Sequence, residues 1–458
     1  MHVIFRESHG LEETAQPVDL QQTPADMVVL SFSDSDLGAF SVGWHNAKED
    51  LPSLRLANLA ALQHPLSVDT YIEQTLRDAK AVLVRLIGGM PYWSYGLQQL
   101  RAVAEENGIA LAVLAADGRA DSQLDDISTL PVSTLRRLRQ LCDAGGPDAA
   151  SAALAQLALS AGLFARPKIG QKNPPRVGGW SLQNRLSCPA AFALRVIPKP
   201  AVVISFYLSY LTAADLAPIE AAAQALEARG FDVFGVFVPS LKEPESAAWL
   251  QRQMRLIAPV AILNATAFSG KGPDGASPLD IAEVPVFQMA LATSTRAAWA
   301  DTERGLSPAE LAMHVVLPEV DGRLFAGVGS FKDPAARDPQ LQFSRFIHKA
   351  DAPRIAAIAD RIRAHVDLSR VENAQKRPVL VLSTYPGKPW QMAHAVGLDA
   401  LASAEAILSD LQTREYDVVP DGPLHKDLQN QRIKWPLSAY KTALKDLPEC
   451  LQTELFHA

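Results

Sequence analysis

The chain twice alternates short apolar runs with helix-period segments, and this constrains its fold more than any other feature. Met27-Val28-Val29-Leu30 and Ala81-Val82-Leu83-Val84-Arg85-Leu86-Ile87 read as strands, the second stopped by Gly88-Gly89. Val68 to Asp78 has helical spacing, Tyr95 to Asn107 reads as a helix closed by Gly108, and Ile109 to Leu114 is the next strand. Ser33 to Asp36 supplies side chains that accept the free N–H groups of a first helical turn. Strands separated by helices imply a parallel sheet covered by helices.

The pattern returns at Ala201 without visible identity to the first. Ala201–Tyr207, Phe231–Val238, Val260–Asn264, Val284–Met289 and Leu324–Phe331 read as strands. Ala213–Arg229 and Glu243–Leu256 read as helices, and Asp351–Ala374 as one long helix with Pro353 in its first turn. The predicted class is α/β, with tandem Rossmann-like or flavodoxin-like parallel-sheet units and an Ala/Leu-rich helical segment between them. The expected divisions are 1–120 (α/β), 121–166 (helical), 167–200 (a Pro/Gly-rich linker or loop), 201–375 (α/β) and 376–458. The last begins a third unit, with Val379–Ser383 and Tyr416–Val419 as strands around an Ala400–Gln412 helix. One βαβ unit has too little core to stand alone, so this third unit reads as unfinished or as packing on the second.

Composition narrows the function classes. Of 458 residues 48% are hydrophobic and 20% charged, enough apolar material for large cores. The net charge of -7 offers no basic footprint for a nucleic acid. Cys142, Cys188 and Cys450 match no zinc or redox spacing and suit a reducing, cytoplasmic compartment. The start, Met1 to Glu7, is too charged for a signal peptide, and the most apolar stretch, Ala201 to Ala214, falls short of a membrane span.

Phosphate and hydrolase motifs are absent. Ser269-Gly270-Lys271-Gly272 lacks the first glycine and the hydroxyl residue of a P-loop, so ATP binding by this chain is not expected. Neither HExxH nor G-x-S-x-G occurs. His314, Glu319 and Asp321 lie within the twelve-residue run Leu311–Gly322 and read as polar groups at a strand end facing a cleft. The alternative is a core histidine followed by a solvated turn. Asn264 follows a strand and opens a loop, either facing a ligand or shaping an Asx turn.

Several runs resemble the large subunit of the cobaltochelatase of aerobic cobalamin biosynthesis. They include Ala25–Leu37, Leu54–Leu59, His64–Asp69, Val84–Gly89 with Tyr92-Trp93, Val238–Lys242, Leu263–Thr266, Gly305–Pro308 and Met313–Arg323, with an echo at Val396–Asp399. The resemblance implies a subunit that holds a tetrapyrrole, hydrogenobyrinic acid a,c-diamide, into which cobalt(II) is inserted as the substrate metal. ATP would act only through partner ATPase and adaptor subunits. The family's chain is much longer, so the resemblance implies an N-terminal portion lacking most of the chelatase region and not active alone. Thr384–Ala395 also departs from the more polar loop of the family. On this reading Arg85, Asn264 and Arg296 are the tetrapyrrole-binding candidates, because guanidinium forks match peripheral carboxylates. His314, Glu319 and Asp321 are the metal candidates, since cobalt(II) suits imidazole and carboxylate. The alternatives are a docking scaffold or inactive truncated paralogue, and the magnesium chelatase large subunit.

Overall fold

A computed structural model describes residues 16–116, 121–167, 174–183, 199–272, 275–382, 397–418, 434–457 and four positions between 423 and 428. The chain divides into two compact units, Met1–Ala364 and His365–Ala458.

The first unit holds two α/β lobes. In the first lobe β1 (Met27–Ser31), β2 (Leu54–Asn58), β3 (Ala81–Leu86) and β4 (Ala110–Ala115) form a wholly parallel sheet of order β2-β1-β3-β4. Successive strand side chains point to opposite faces, so a strand covered on both sides must be apolar throughout. β1 shows this directly. Met27 and Val29 join a core with α1 (Asp34–His45), α5 (Val132–Ala144) and α6 (Pro147–Ser160), whereas Val28 and Leu30 join another with α2 (Pro65–Tyr71) and α3 (Ser94–Asn107). Each fully buried side chain of this kind contributes about 1.5–3 kcal/mol. A short helix, α4 (Ser122–Ile127), precedes α5.

Strand β2 escapes the sequence pattern because Arg55 interrupts it. Arg55 is nonetheless buried, its guanidinium donating to the carbonyls of Thr23, Leu54 and Gln340. Backbone acceptors thus satisfy the charge that made the run look like a surface segment.

The second lobe contains β5 (Gly178–Trp180), β6 (Ala201–Tyr207), β7 (Asp232–Val238), β8 (Ala261–Asn264), β9 (Val286–Leu291), β10 (Leu324–Pro334) and β11 (Phe346–Ala350). Their order is β11-β10-β9-β8-β6-β7-β5. The inner pairs are parallel, and the edge strands β5 and β11 are antiparallel. β5 lies inside the segment expected to be a linker. Gly178 and Gly235 make the pairing fit: a Cβ on Gly178 would stand 2.5 Å from the Phe237 ring, and one on Gly235 2.7 Å from Trp180. The helix expected over Ala213–Arg229 is α8 (Ala217–Glu227), preceded by a short α7 (Leu208–Thr212) that directly follows β6, and α9 (Pro244–Ile257) follows β7. α10 (Arg296–Ala300) follows β9. α11 (Pro308–Leu311) then runs through a π turn at Ala312–Val316 into α12 (Leu317–Val320). The His314 run is therefore helical, not the end of a strand. Ser307 and Glu310 form a reciprocal capping box that starts it. α13 (Ala352–Arg370) lays Ile355, Ile358 and Ile362 in the core, with Ile358 within 3.5 Å of where a Gly327 Cβ would be.

A strap between β10 and β11 fastens the lobes. Leu341, fully buried, sits in the first lobe's core with Met27 and Leu54. Gln340 and Gln342 accept from Arg55 and Gln22, and Arg337 donates to the carbonyls of Leu20 and Gln21. Gly38 of α1 marks another close approach, since a Cβ there would lie 2.9 Å from the Ala213 carbonyl oxygen.

In the second unit α14 (Ala400–Thr413) is capped by the Asp399 carboxylate, and α15 (Leu437–Lys445) and α16 (Glu449–His457) follow. The expected strands are not formed among the described residues. Val379–Leu382 and Tyr416–Val418 are irregular, and Val379 and Val381 are more than 80% exposed. A strand with no neighbour leaves its N–H and C=O groups unpaired, so the apolar run alone does not make one. Ser383, Val419 and Thr384–Ala395 lie outside the described residues.

Candidate functional site

Both sheets of the first unit turn their carboxyl edges toward one cleft of about 620 Å3. That edge is where α/β folds place ligands, because every strand there hands over to a loop or helix start. From the first lobe come Asp36 at the start of α1, Arg85 on β3, Ala116 after β4, and Cys142 and Asp143 at the end of α5. The second lobe supplies Tyr207 at the end of β6, Ser209 after it, Ser240 after β7 and Phe268 after β8.

Arg85 lies at the cleft floor with its guanidinium almost wholly buried. It donates to the Ala115 carbonyl at 2.9 Å, to Asp143 Oδ1 at 3.1 Å and to Asp36 Oδ2 at 3.3 Å. Burial opposes its charge, but Cys142, Asp36 and Asp143 together raise its pKa above the ordinary arginine value. The Cys142 thiol is pushed up to about 12, first by burial. The floor is thus a fixed cation flanked by two carboxylates that keep partial access to solvent.

Phe268 separates this cleft from a smaller cavity of about 80 Å3 and borders both. Its backbone has φ 66°, a left-handed conformation uncommon for a bulky residue. A brace holds it there. Asp321 accepts from Ser269 Oγ at 2.7 Å and from the Gly270 N–H at 2.6 Å, and pairs with Arg323 at 2.9 Å. Arg323 in turn reaches the Phe268 carbonyl and Gln288 Oε1.

The inner cavity is walled by Asp215, Thr293, His314, Lys332 and His348 as well as Phe268. His314 is 4% exposed, and its Nδ1 has no hydrogen-bond partner. Burial lowers its pKa to about 4, against a weaker raising effect of Glu310, so the imidazole is neutral near pH 7. Glu310 is itself saturated. Burial pushes its carboxyl up, but the N–H groups of Ser294, Ser307 and Thr293 and the Ser307 hydroxyl more than offset this and hold it ionised.

Of the residues picked out by sequence, Arg85 and His314 line cavities and the others do not. Asn264 is fully buried in a ladder across β6, β8 and β9, its Oδ1 accepting a hydrogen bond from the Ser205 hydroxyl and its Nδ2 donating to Gln288 Oε1 at 2.7 Å. Arg296 stacks on Trp299 and Phe331 at 4.8 and 5.3 Å and pairs with Asp351, away from both cavities. Glu319 is exposed, and Asp321 is consumed by its brace. His314, Glu319 and Asp321 therefore do not converge, because the helical turn carrying His314 and Glu319 sends one inward and the other to solvent. Among the described residues no three His, Cys, Asp or Glu side chains are placed to hold a metal ion. Sequence reading missed Tyr207, Ser209, Ser240, Phe268, Lys332 and His348. The first three lie within two residues of a strand's carboxyl end, which was the available signal.

Comparison with known proteins gives concordant matches. The CobN/magnesium chelatase family model matches residues 190–457. The aerobic cobaltochelatase subunit CobN of Sinorhizobium sp is 32% identical, covering 99% of this chain and 38% of its own length. That of Pseudomonas aeruginosa is 33% identical, covering 91% and 34%. The chloroplastic magnesium-chelatase subunit ChlH of Oryza sativa subsp. indica is 25% identical over 48% of this chain and 16% of its own. The catalytic subunit of cobaltochelatase from Mycobacterium tuberculosis superposes with a TM-score of 0.63 at 24% identity, over 92% of this chain and 34% of that one, and so shares the fold. The chain spans little more than a third of the cobaltochelatase relatives it matches. Among the described residues no helix is long and apolar enough to cross a membrane.

Proposed function

We propose, from the premise that the chain belongs to the CobN/magnesium chelatase family, that it binds the tetrapyrrole into which the metal is inserted. The observation that carries this reading is the cleft of about 620 Å3 between two opposed carboxyl edges. Its volume lies in the ordinary range of small-molecule sites. Tyr207 and Phe268 offer aromatic surface to a flat macrocycle, and Ser209, Thr212 and Ser240 offer hydroxyls to its rim. Metal insertion needs bases for the departing pyrrole protons, and Asp36 and Asp143 face the cleft as partly solvated carboxylates.

The substrate is hydrogenobyrinic acid a,c-diamide and the inserted metal cobalt(II), in keeping with the cobaltochelatase relatives. ATP acts through partner ATPase and adaptor subunits, since no phosphate-cradling glycine loop is present in the sequence. Arg85, retained from the sequence, acts in the cleft by positioning the carboxylates of Asp36 and Asp143 and not by touching the macrocycle.

Titration of the chain with hydrogenobyrinic acid a,c-diamide, followed by pigment absorbance, tests the reading. Saturable binding at micromolar affinity or tighter is expected, weakened at least tenfold when Phe268 and Tyr207 are both replaced by Ala. No binding by a folded chain refutes it and favours a docking module for partner subunits. Preference for protoporphyrin favours the magnesium relative.

A further inference from the structure

We propose that Asp321 and Arg323 are positioning residues of the macrocycle cleft, acting on it through Phe268 without touching the ligand. This rests on the cleft being the macrocycle site. Phe268 lines the cleft in a left-handed backbone conformation, φ 66°, which a bulky residue keeps only where its surroundings hold it. Four hydrogen bonds do so here. The Phe268 N–H donates to the Met313 carbonyl at 2.8 Å, and the Phe268 carbonyl accepts from Arg323 Nη1 at 3.4 Å. The Asp321 carboxylate accepts from the Ser269 hydroxyl and the Gly270 N–H, and its pairing with Arg323 joins the two halves of the brace. Tyr207, the other aromatic residue of the cleft, donates its hydroxyl to the Ala267 carbonyl at 2.7 Å, so both are tied to one loop.

The sequence supplies each part of this brace. In the π turn the Leu317 N–H bonds to the Ala312 carbonyl, five residues back, and not to that of Met313. The next residue, Pro318, has no N–H to offer Met313 in that register. The Met313 carbonyl is therefore open to Phe268. Gly270 leaves room for the guanidinium, since a Cβ there would stand 2.6 Å from Arg323 Nη2. The core gains little from this arrangement, because Phe268 is 46% exposed. Taking the Asp321–Arg323 pair out of water carries a desolvation penalty that a half-exposed residue does not offset. What the brace secures is a fixed aromatic surface at the cleft, and a side chain already fixed loses less freedom when a flat macrocycle stacks on it.

The test is a double-mutant cycle on the affinity of the chain for hydrogenobyrinic acid a,c-diamide, read by pigment absorbance, with circular dichroism confirming each fold. Phe268→Ala should weaken binding by about fivefold or more. Asp321→Asn should weaken it by about threefold or more on its own, and by less than about 1.5-fold in the Phe268→Ala background, where no ring is left to position. Gly270→Ala keeps both charges and crowds only the end of the Arg323 side chain and Leu241. It should repeat the pattern, and it carries the test if Asp321→Asn does not fold. Equal losses in the two backgrounds, or no loss in a folded brace variant, overturn the positioning role while leaving macrocycle binding standing. So does a Phe268→Ala chain that binds as tightly as the unaltered one. If the unaltered chain binds no macrocycle, the cleft reading falls and the positioning role with it.

Discussion

Leu341→Ala should loosen the two lobes of the first unit from each other. Leu341 belongs by chain position to the second lobe, between β10 and β11, yet its side chain is fully buried among Met27, Leu54, Leu135 and other residues of the first. Truncating such a leucine removes its transfer free energy and leaves a cavity, together about 3 kcal/mol within a usual span of roughly 2–5. For a cooperative unit of this size each kcal/mol lowers the melting temperature by about 1–2 °C, so a shift of roughly 3–6 °C is expected by calorimetry. The neighbouring bonds from Arg55 to Gln340 and from Gln22 to Gln342 hold main-chain carbonyls, and the substitution does not remove them. Leu341→Met, close in volume, should cost less than about 1.5 kcal/mol. Because the cleft is built from both lobes, Leu341→Ala should also weaken macrocycle binding. A loss of stability below about 1 kcal/mol would refute the reasoning, since it would mean the strap's anchor is not part of the first lobe's core.

Other perturbations separate structural from ligand-facing roles. The lowered pKa of His314 means that between pH 6.5 and about 4 the unfolded chain binds a proton that the folded chain excludes. Stability should therefore fall as pH drops through that window, on the order of 3 kcal/mol in all, and urea titrations of His314→Leu between pH 7 and pH 5 should show a flatter slope. Glu310, with its depressed pKa, adds its own loss as pH falls from the ordinary carboxylate range downward. Asp321→Asn leaves the Arg323 guanidinium buried beside a neutral amide and should cost about 3–5 kcal/mol, with faster proteolysis of the loop after β8. Arg296→Ala should change stability by no more than about 1 kcal/mol and macrocycle affinity by less than twofold, because its ion pair and ring stacking lie at the surface.

Periodicity made the two parallel sheets legible, because strands buried on both faces must be apolar along their whole length. Val82–Val84 and Val202–Ile204 are of this kind, and both are wholly buried. What escaped depended on partners distant in sequence. β2 carries Arg55, whose guanidinium donates to carbonyls as far away as Gln340, and β5 is three residues long and exists because Gly235 leaves room for Trp180. The Val379–Leu382 run failed in the opposite sense, having β-branched residues and no strand to pair with among those described.

The site was legible to a lesser degree, for a related reason. Residue type suggests chemistry, but a side chain's engagement decides whether that chemistry is available. Asp321 and Asn264 have ligating groups, and both are spent on holding sheet and loop. Arg296 has the right fork for a carboxylate and uses it on Asp351. His314 was weighed as a bland core residue, and in burial it is one. It differs from a structural histidine in a single respect, its buried and unpartnered Nδ1, which no spacing rule encodes. Its placement comes from the π turn at Ala312–Val316, where one extra residue per turn re-aims the helix face. That turn stands in sequence between the Ser307–Glu310 capping box and Pro318, and the two fix the helical register on either side of it. A buried carboxylate that caps a helix, a widened turn and an orphaned imidazole thus form one local unit. Within it the Glu310 charge is satisfied by backbone N–H groups, and it raises the His314 pKa only weakly against the effect of burial.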